Sequence, residues 1–286
     1  MEYIVDKESL LIDELKLIFP NSSNNKIRKM LSNNRISVDG VIVNKAKTKV
    51  KKGISIFISE SIITYGNENK FKINIVYEDE ELIVVNKPDK LLSVATNKLE
   101  KDTLHSRVVN YLKSKNKSSW GWIVHRLDRD TSGIIVFAKS EESKLKLQKQ
   151  FSKQTVKRIY VAIVDGKPYS DIGKIENYIV EGRDLVVREC KKSTKGSKIA
   201  ITNWKVIANN DNHTLLEIFI ETGRRNQIRV HFSGIKCPIS GDKKFGSNTN
   251  PFRRICLHAQ EISIKHPITF EEITFSSTNP FEKLFN

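Results

Sequence analysis

Residues 121–139 form the part of the sequence that is richest in side chains able to do chemistry. Two apolar, strand-like stretches flank a loop that contains His125, Asp128, Asp130, Thr131 and Ser132. A polar loop held between buried flanks often carries function. Four interpretations fit these residues: a structural ion-pair network, a metal site, a two-carboxylate hydrolase, or a single catalytic carboxylate held by arginines.

The arginines beside the aspartates separate these interpretations in part. Arg126 and Arg129 bracket Asp128, and fixed positive charge competes with a divalent cation for the same carboxylate. We therefore predict no metal site. Asp128 and Asp130 could form the acid pair of a glycosidase, but a spacing of two residues does not set the carboxylate separation that this chemistry requires. Composition alone favours the structural network and leaves the single-carboxylate catalyst open.

The net charge indicates an anionic partner. The 286 residues carry a formal net charge of +16, which repels itself in a compact state unless an anion offsets it. Residues 22–52 hold nine basic side chains and Asp39 as their single acid. The nine are Lys26, Arg28, Lys29, Arg35, Lys45, Lys47, Lys49, Lys51 and Lys52. This clustering makes nucleic acid the first candidate partner.

Cysteine usage and hydropathy exclude other classes of protein. Cys190, Cys237 and Cys256 form no C-x-x-C pair, and their odd number argues against a secreted disulfide framework. No stretch approaches the roughly 20 apolar residues of a membrane helix. The first 15 residues are acidic, whereas a signal peptide is basic and then apolar. We expect a cytoplasmic protein without a membrane segment.

The N-terminal elements form a small module in the prediction. Leu11, Leu15 and Ile18 predict a helix that Pro20 ends, and Ser22 or Ser23 can cap a second helix over 24–34. Residues 35–44 predict a hairpin whose type I′ turn is Asp39-Gly40. The polar stretch 65–70 is the candidate linker, with a domain boundary near residue 66.

Beyond the linker, strands predominate. We predict strands over 73–77, 81–86, 157–166 and 215–220, a helix on which Leu104, Val108 and Leu112 share a face, and a helix from Ser140 to about Phe151. No regular strand–helix repeat is present. The pattern therefore predicts an α+β domain built on a largely antiparallel sheet.

The loop sequence itself carries a resemblance. His125-Arg-Leu-Asp-Arg-Asp-Thr-Ser-Gly resembles the signature of the RluA-like family of RNA pseudouridine synthases. Further segments resemble the family's other motifs in the same order: Asn86-Lys-Pro-Asp-Lys-Leu-Leu-Ser-Val, Lys157-Arg-Ile-Tyr-Val-Ala-Ile-Val-Asp-Gly, Glu221-Thr-Gly-Arg-Arg-Asn-Gln-Ile-Arg-Val-His, Pro238-Ile-Ser-Gly-Asp-Lys-Lys-Phe-Gly, Leu257-His-Ala and His266-Pro. The resemblance covers residues 72–280.

Residues 10–59 resemble the S4 RNA-binding domain. The two resemblances together imply a pseudouridine synthase fold with a mixed, largely antiparallel sheet over 67–286, preceded by a small α+β S4-like RNA-binding domain and linker over 1–66. The S4 resemblance implies that Lys26, Arg28, Lys29 and Arg35 contact the RNA backbone.

The synthase resemblance implies an isomerase that needs no cofactor. It assigns Asp128 as the catalytic carboxylate, which either attacks the anomeric carbon or takes a ribose proton. It also implies that Arg229 pairs with Asp128 and keeps it ionised, with Arg224 as a second basic candidate. Without the resemblance, a structural ion pair is the better interpretation of Arg229.

The resemblance further implies that the target base is flipped out of the RNA. Tyr160 would stack on the uracil or meet its sugar, Ile228 would lie against the other face of the base, and Arg126 would fill the vacated space. On pattern alone, Tyr160 and Ile228 would be core residues. The chain departs from the family pattern at Arg225-Asn226, in place of a small polar residue and His, and at Asp89-Lys90, in place of a Gly-containing turn.

The resemblance favours 23S ribosomal RNA of the large subunit as the substrate, with transfer RNA as the alternative. We expect a monomer. Two rival functions remain at this point. One is a catalytically inactive RNA-binding factor. The other is a metal-dependent phosphodiesterase or a glycosidase that acts on nucleic acid.

Overall fold

The computed structural model describes residues 2–32, 36–39, 41–43, 45–58, 71–96 and 100–285. The chain divides into two compact units, Met1–Asn67 and Glu68–Asn286. The predicted linker over 65–70 and Arg35 lie outside the described residues. No helix in the described ranges is long and apolar enough to cross a membrane.

The first unit contains short strands and two helices. In chain order they are β1 (Glu2–Ile4), β2 (Ser9–Leu10), α1 (Leu11–Ile18), α2 (Asn24–Ser32), β3 (Ile36–Val38), β4 (Val41–Ile42), β5 (Lys49–Val50) and β6 (Ser55–Ile58). Both predicted helices are confirmed, and the Ser23 hydroxyl accepts a hydrogen bond from the Lys26 amide at 3.3 Å. The predicted hairpin is confirmed by the antiparallel pairing of β3 with β4 across a turn in which Asp39 has φ 46°.

The core of the first unit lies between α1, α2 and the sheet β1-β6-β3-β4. Its buried residues include Leu11 and Leu15 of α1 and Ile27 and Leu31 of α2. Lys26 and Arg28 of α2 lie away from this core, since both are exposed. Helical spacing therefore sorts apolar residues inward and leaves these cations in solvent.

The second unit is built on one large sheet with three helices among its described residues. Its elements are β7 (Asn74–Glu78), β8 (Leu82–Lys87), α3 (Leu104–Lys115), β9 (Trp122–Ile123), β10 (Ser132–Ala138), α4 (Glu141–Ser152), β11 (Lys157–Asp165), β12 (Ile172–Glu181), β13 (Val187–Cys190), β14 (Lys198–Asn209), β15 (His213–Ile220), α5 (Gln227–Gly234), β16 (Leu257–Lys265) and β17 (Glu272–Ser276). Short 3-10 helices cover Lys243–Phe245 and Glu282–Leu284.

The sheet confirms the predicted α+β class. Within the described residues its strand order is β13-β12-β14-β15-β11-β16-β10-β8-β7, with β9 beside β10 and β17 beside β16. Of these pairings, only that of β10 with β16 is parallel. The predicted sheet, mixed and largely antiparallel, is therefore correct.

Two helices cover opposite faces of the sheet near its centre. Thr103 caps α3, whose Leu104 packs into the same cluster as Ile83 of β8. Ser140 caps α4, whose Leu147 packs into the cluster of the neighbouring Val84. Because successive strand residues point to opposite faces, both faces of β8 are buried and the centre of the sheet is a rigid support.

The loop 124–131 joins β9 to β10 and so starts and ends at this support. Gly133, the second residue of β10 after this loop, has φ 118°, a conformation that favours glycine. A β-carbon there would collide with the backbone carbonyl of Ala259 on β16. The glycine at the end of the His125-to-Gly133 motif therefore allows β10 to approach β16 closely.

Candidate active site

Main-chain contacts hold the loop that carries Asp128. The Leu127 amide donates to Ser93 Oγ at 3.1 Å, and the Ser93 hydroxyl donates back to the Leu127 carbonyl at 2.6 Å. The Thr131 amide donates to the Asp128 carbonyl at 3.2 Å. These bonds fix the backbone on both sides of Asp128, which limits where its carboxylate can lie.

A buried lysine, which sequence reasoning did not single out, holds the same loop. Lys87 is fully buried, and its Nζ donates to the carbonyls of Pro88 at 2.9 Å, Leu91 at 2.7 Å and Arg129 at 2.9 Å. Burial lowers the pKa of Lys87 to about 7. Lys87 therefore ties the end of β8 to the loop, 42 residues later in the chain.

His125 stabilises the start of the loop through contacts with β10 and α4. Its Nε2 accepts a hydrogen bond from the Val136 amide at 3.0 Å, and its ring stacks on Phe151 with the ring centroids 4.7 Å apart. Burial lowers the pKa of His125 to about 3, with a further contribution from the cation of Arg158. The ring is therefore neutral at physiological pH, and its accepting nitrogen is already used by the backbone.

A cleft of about 380 Å³ brings together all six residues predicted for the catalytic domain. They are Asp128, Arg126, Tyr160, Ile228, Arg229 and Arg224. Tyr160 is 9% exposed and Ile228 5%, so each packs into the unit and borders the cleft. Both are core residues as well as lining residues, which is why sequence pattern alone assigns them to the core.

The environment of Asp128 combines burial with surrounding cations. Its side chain is 22% exposed, and burial raises the pKa of Asp128 above its usual value. Arg229, Arg126 and Arg225, together with Lys87, oppose this increase. Among the described residues, Asp128 is the one acidic side chain that lines the cleft.

Arg229 lies in ion-pair range of Asp128 but binds another carboxylate more closely. Its Nη1 is 3.8 Å from Asp128 Oδ2. Its Nε and Nη2 donate to the two carboxylate oxygens of Asp242 at 2.6 and 2.9 Å, and Nη1 also donates to Asn226 Oδ1 at 3.3 Å. Asp242 is 1% exposed. Asp242 and Asn226 therefore fix the guanidinium. Sequence reasoning noted Asn226 as a departure from the family pattern but predicted neither contact.

Asn226 is the point at which the chain departs from the expected His. It has φ 53° immediately before α5, a left-handed conformation that Asn tolerates better than most residues. Arg225, the other departure, forms an ion pair with Glu181. Arg224 lines the cleft while its Nε donates to the Ile199 carbonyl at 3.1 Å.

Tyr160 presents a neutral phenol to the cleft. Burial raises the pKa of Tyr160 to about 12, and the negative charge of Asp128 adds to this increase. Tyr160 therefore does not exchange protons near neutral pH. Its side chain lines the cleft next to Ile228 and Asp128.

Comparison with known proteins identifies the family of this site. Residues 81–234, which include Asp128, Tyr160 and Arg229, match the family described as RNA pseudouridylate synthase. The chain belongs to the RNA pseudouridylate synthase family. The predicted RluA-like membership is confirmed, and the synthase is an isomerase that acts on RNA.

Two relatives extend the match beyond the family segment. The synthase is 35% identical over 233 residues to the uncharacterized RNA pseudouridine synthase YhcT of Bacillus subtilis, covering 78% of this chain and 75% of that protein. It is 31% identical over 278 residues to ribosomal large subunit pseudouridine synthase D of Vibrio cholerae, covering 90% of this chain and 84% of that protein.

Solved structures confirm the predicted fold of the synthase. Human RNA pseudouridylate synthase domain containing 4 is similar with a TM-score of 0.62 and 23% identity, over 73% of this chain and 90% of that chain. Human RNA pseudouridylate synthase domain containing 1 is similar with a TM-score of 0.59 and 25% identity, over 77% of this chain and 87% of that chain.

Proposed function

We propose that this synthase converts uridines of 23S ribosomal RNA to pseudouridine with Asp128 as its catalytic carboxylate. The reaction breaks the bond from N1 to C1′, turns the base and joins C5 to C1′. The proton of C5 is lost and N1 ends protonated, so the reaction needs no net oxidant or reductant. The observation that carries the proposal is that Asp128 is the single acidic side chain among the described residues that line a cleft large enough for a base.

Asp128 must be ionised for either of its possible first steps. A carboxylate can attack C1′ or take a ribose proton, and a protonated carboxyl does neither well. Arg229 at 3.8 Å and the nearby Arg126 favour the charged form against burial. The absence of a second acid among the described lining residues disfavours the two-carboxylate chemistry of a glycosidase.

The other lining residues fit the handling of a flipped base. Tyr160 and Ile228 offer one aromatic and one aliphatic surface between which uracil would lie. Arg126 is exposed at the cleft, where it would occupy the space that the base leaves in the RNA. Arg224 would contribute positive charge beside the sugar-phosphate backbone.

The first unit would bind RNA as an S4-like domain, with residues 1–66 forming this domain and its linker and 67–286 the catalytic domain. Its cations Lys26 and Arg28 are exposed, as phosphate contacts require. The same role is proposed for Lys29, whose side chain lies outside the description, and for Arg35. Replacing Lys26 and Arg28 with Gln should weaken RNA binding and flatten its salt dependence while leaving kcat unchanged. Lys167→Gln in the second unit is the matched control.

The relatives support ribosomal RNA as the substrate, because the Vibrio cholerae protein is named for the large ribosomal subunit and aligns with 90% of this chain. We propose that the synthase works as a monomer in the cytoplasm. Transfer RNA is the alternative substrate, and an inactive RNA-binding factor is the alternative function.

Pseudouridine mapping of total RNA tests the proposal. Cells with the intact protein, without it, and with Asp128→Ala would be compared. Loss of the same 23S pseudouridines in both defective strains supports the proposal and names the sites. Loss confined to transfer RNA replaces the substrate, and no loss in either strain overturns the enzyme function in favour of RNA binding.

A further inference from the structure

Arg158 is a cleft residue whose charge has no acidic partner among the described residues. In the part of the chain that the structure describes, no carboxylate lies within ion-pair distance of it, whereas Arg229 has Asp242 and Arg254 has Asp89. Its Nε is shielded from solvent and has no hydrogen-bond partner in the described ranges. A partly buried charge without a counterion is costly, so proteins usually pair it.

The contacts of Arg158 fix its position in the cleft wall. Within the described residues, the one hydrogen bond that it donates runs from Nη2 to the Glu221 carbonyl at 3.1 Å. Its guanidinium lies over the ring of Phe151, 5.9 Å from the centroid. The aromatic ring and the carbonyl therefore orient the guanidinium but do not neutralise it.

Gly223 provides the space that this guanidinium occupies. A β-carbon on Gly223 would lie 2.5 Å from Arg158 Nη1, closer than such atoms approach. The glycine also lines the cleft. Gly223 therefore leaves room for the guanidinium in this position, and a larger residue there would displace the end of the Arg158 side chain.

We propose that Arg158 binds a backbone phosphate of the RNA next to the flipped uridine, an inference that rests on the proposed function. Uracil and ribose are neutral, so the phosphate is the anion that an RNA substrate brings to this cleft. A guanidinium suits phosphate because its N–H groups form a planar fork that matches the phosphate oxygens. Binding of the phosphate would supply the missing counterion.

Steady-state kinetics of Arg158→Gln test the proposal on a ribosomal RNA transcript that the wild-type protein modifies. Loss of one charged hydrogen-bonding group should raise KM about tenfold or more. It should also reduce the slope of log KM against log salt by about 0.7 to 0.9, the value for one phosphate. Lys157→Gln removes the same charge from the adjacent, exposed residue that pairs with Glu272 and should change neither quantity.

Two further arms keep the test independent of folding. Gly223→Ala retains the charge but displaces the guanidinium, and it should raise KM as Arg158→Gln does. A synthetic stem-loop copied from the modified site, with one methylphosphonate linkage on the 5′ or the 3′ side of the target uridine, removes the charge from the RNA instead. One of these neutral linkages should raise KM with the wild type and add nothing with Arg158→Gln.

The outcomes separate this inference from the proposed function. An active wild-type protein whose KM is unchanged by Arg158→Gln, or for which both neutral linkages are without effect, overturns the inference alone. A wild-type protein that modifies neither ribosomal nor transfer RNA overturns the proposed function and the inference with it.

Discussion

Arg229 and Asp242 form a buried, two-point ion pair next to Asp128, the proposed catalytic carboxylate. The Nε and Nη2 atoms of Arg229 lie 2.6 and 2.9 Å from the Asp242 oxygens, whereas Nη1 lies 3.8 Å from Asp128. Arg229 is thus held in place by Asp242, and its positive charge favours the ionised form of Asp128. Such an arrangement fixes both the position and the strength of the positive charge that Asp128 experiences.

Asp242→Asn should lower kcat about 10- to 100-fold with a smaller change in KM, because a guanidinium that loses its anchor moves relative to the reacting carboxylate. Single-turnover assays on the ribosomal RNA substrate measure this. Asp79→Asn removes a partly buried carboxylate that contacts His266 away from the cleft and serves as the control. Equal kcat values for Asp242→Asn and the wild type would contradict a positioning role.

The pH profile should report the ionisation of Asp128. Because burial raises the pKa of this carboxyl above its usual 3.8, kcat should rise with pH through a midpoint above that value. Arg229→Gln removes the largest of the cationic contributions that oppose burial. The midpoint should therefore move to higher pH.

The profile of Arg229→Gln would be compared with that of Arg188→Gln, which removes an exposed arginine paired with Asp184. The control should leave the midpoint in place. A midpoint that moves to lower pH in Arg229→Gln is incompatible with the electrostatics described for Asp128.

Lys87→Met should destabilise the second unit because it leaves the carbonyls of Pro88, Leu91 and Arg129 without the donor that Lys87 supplies. The expected loss is on the order of 3 kcal/mol of unfolding free energy, measured by urea denaturation. Lys167→Met, at a side chain that is 59% exposed, should cost far less. Similar losses for the two variants would show that the three hydrogen bonds of Lys87 do not stabilise the fold.

Two substitutions of Asn226 should separate the contribution of its backbone conformation from that of its side-chain hydrogen bond to Arg229. Asn226→Gly keeps the left-handed conformation and removes the acceptor of Arg229, so kcat should fall several-fold while the unfolding free energy changes little. Asn226→Ala should lower kcat similarly and also cost about 1 kcal/mol of stability, because Ala is strained at positive φ. Identical stability of the Gly and Ala variants, measured by urea denaturation, would contradict this division.

The sequence predicted most of the local structure because the signals were local. Each correctly predicted element depends on residues that are neighbours in the sequence. Examples are the apolar spacing in α3, the start of α4 at Ser140 with the acidic residues after it, the hairpin around Asp39-Gly40 and the strand β11. The family motifs also predicted which side chains line the cleft. Their catalytic and binding roles stay predictions.

Contacts between distant residues could not be predicted in this way. Lys87 reaches Arg129 across 42 residues, and Arg229 takes Asp242, 13 residues on, as its closest partner. Both Asp242 and Lys87 lie within the motifs, so their positions were visible while their partners were not. The position of the Arg158 guanidinium likewise depends on the packing of Phe151, Glu221 and Gly223 around it. The sequence shows neither these contacts nor the lack of a carboxylate partner among the described residues.

Pseudouridine formation by purified Asp128→Asn is the sharpest measurement of the central claim, that one carboxylate performs the chemistry. Ribosomal RNA from cells that lack the protein would be the substrate, and RNA binding would be measured in parallel. Asp130→Asn is the matched control, since Asp130 lies two residues away and pairs with Arg129. We expect Asp128→Asn to bind RNA and form no pseudouridine while Asp130→Asn remains active. Wild-type turnover by Asp128→Asn would contradict the proposed mechanism.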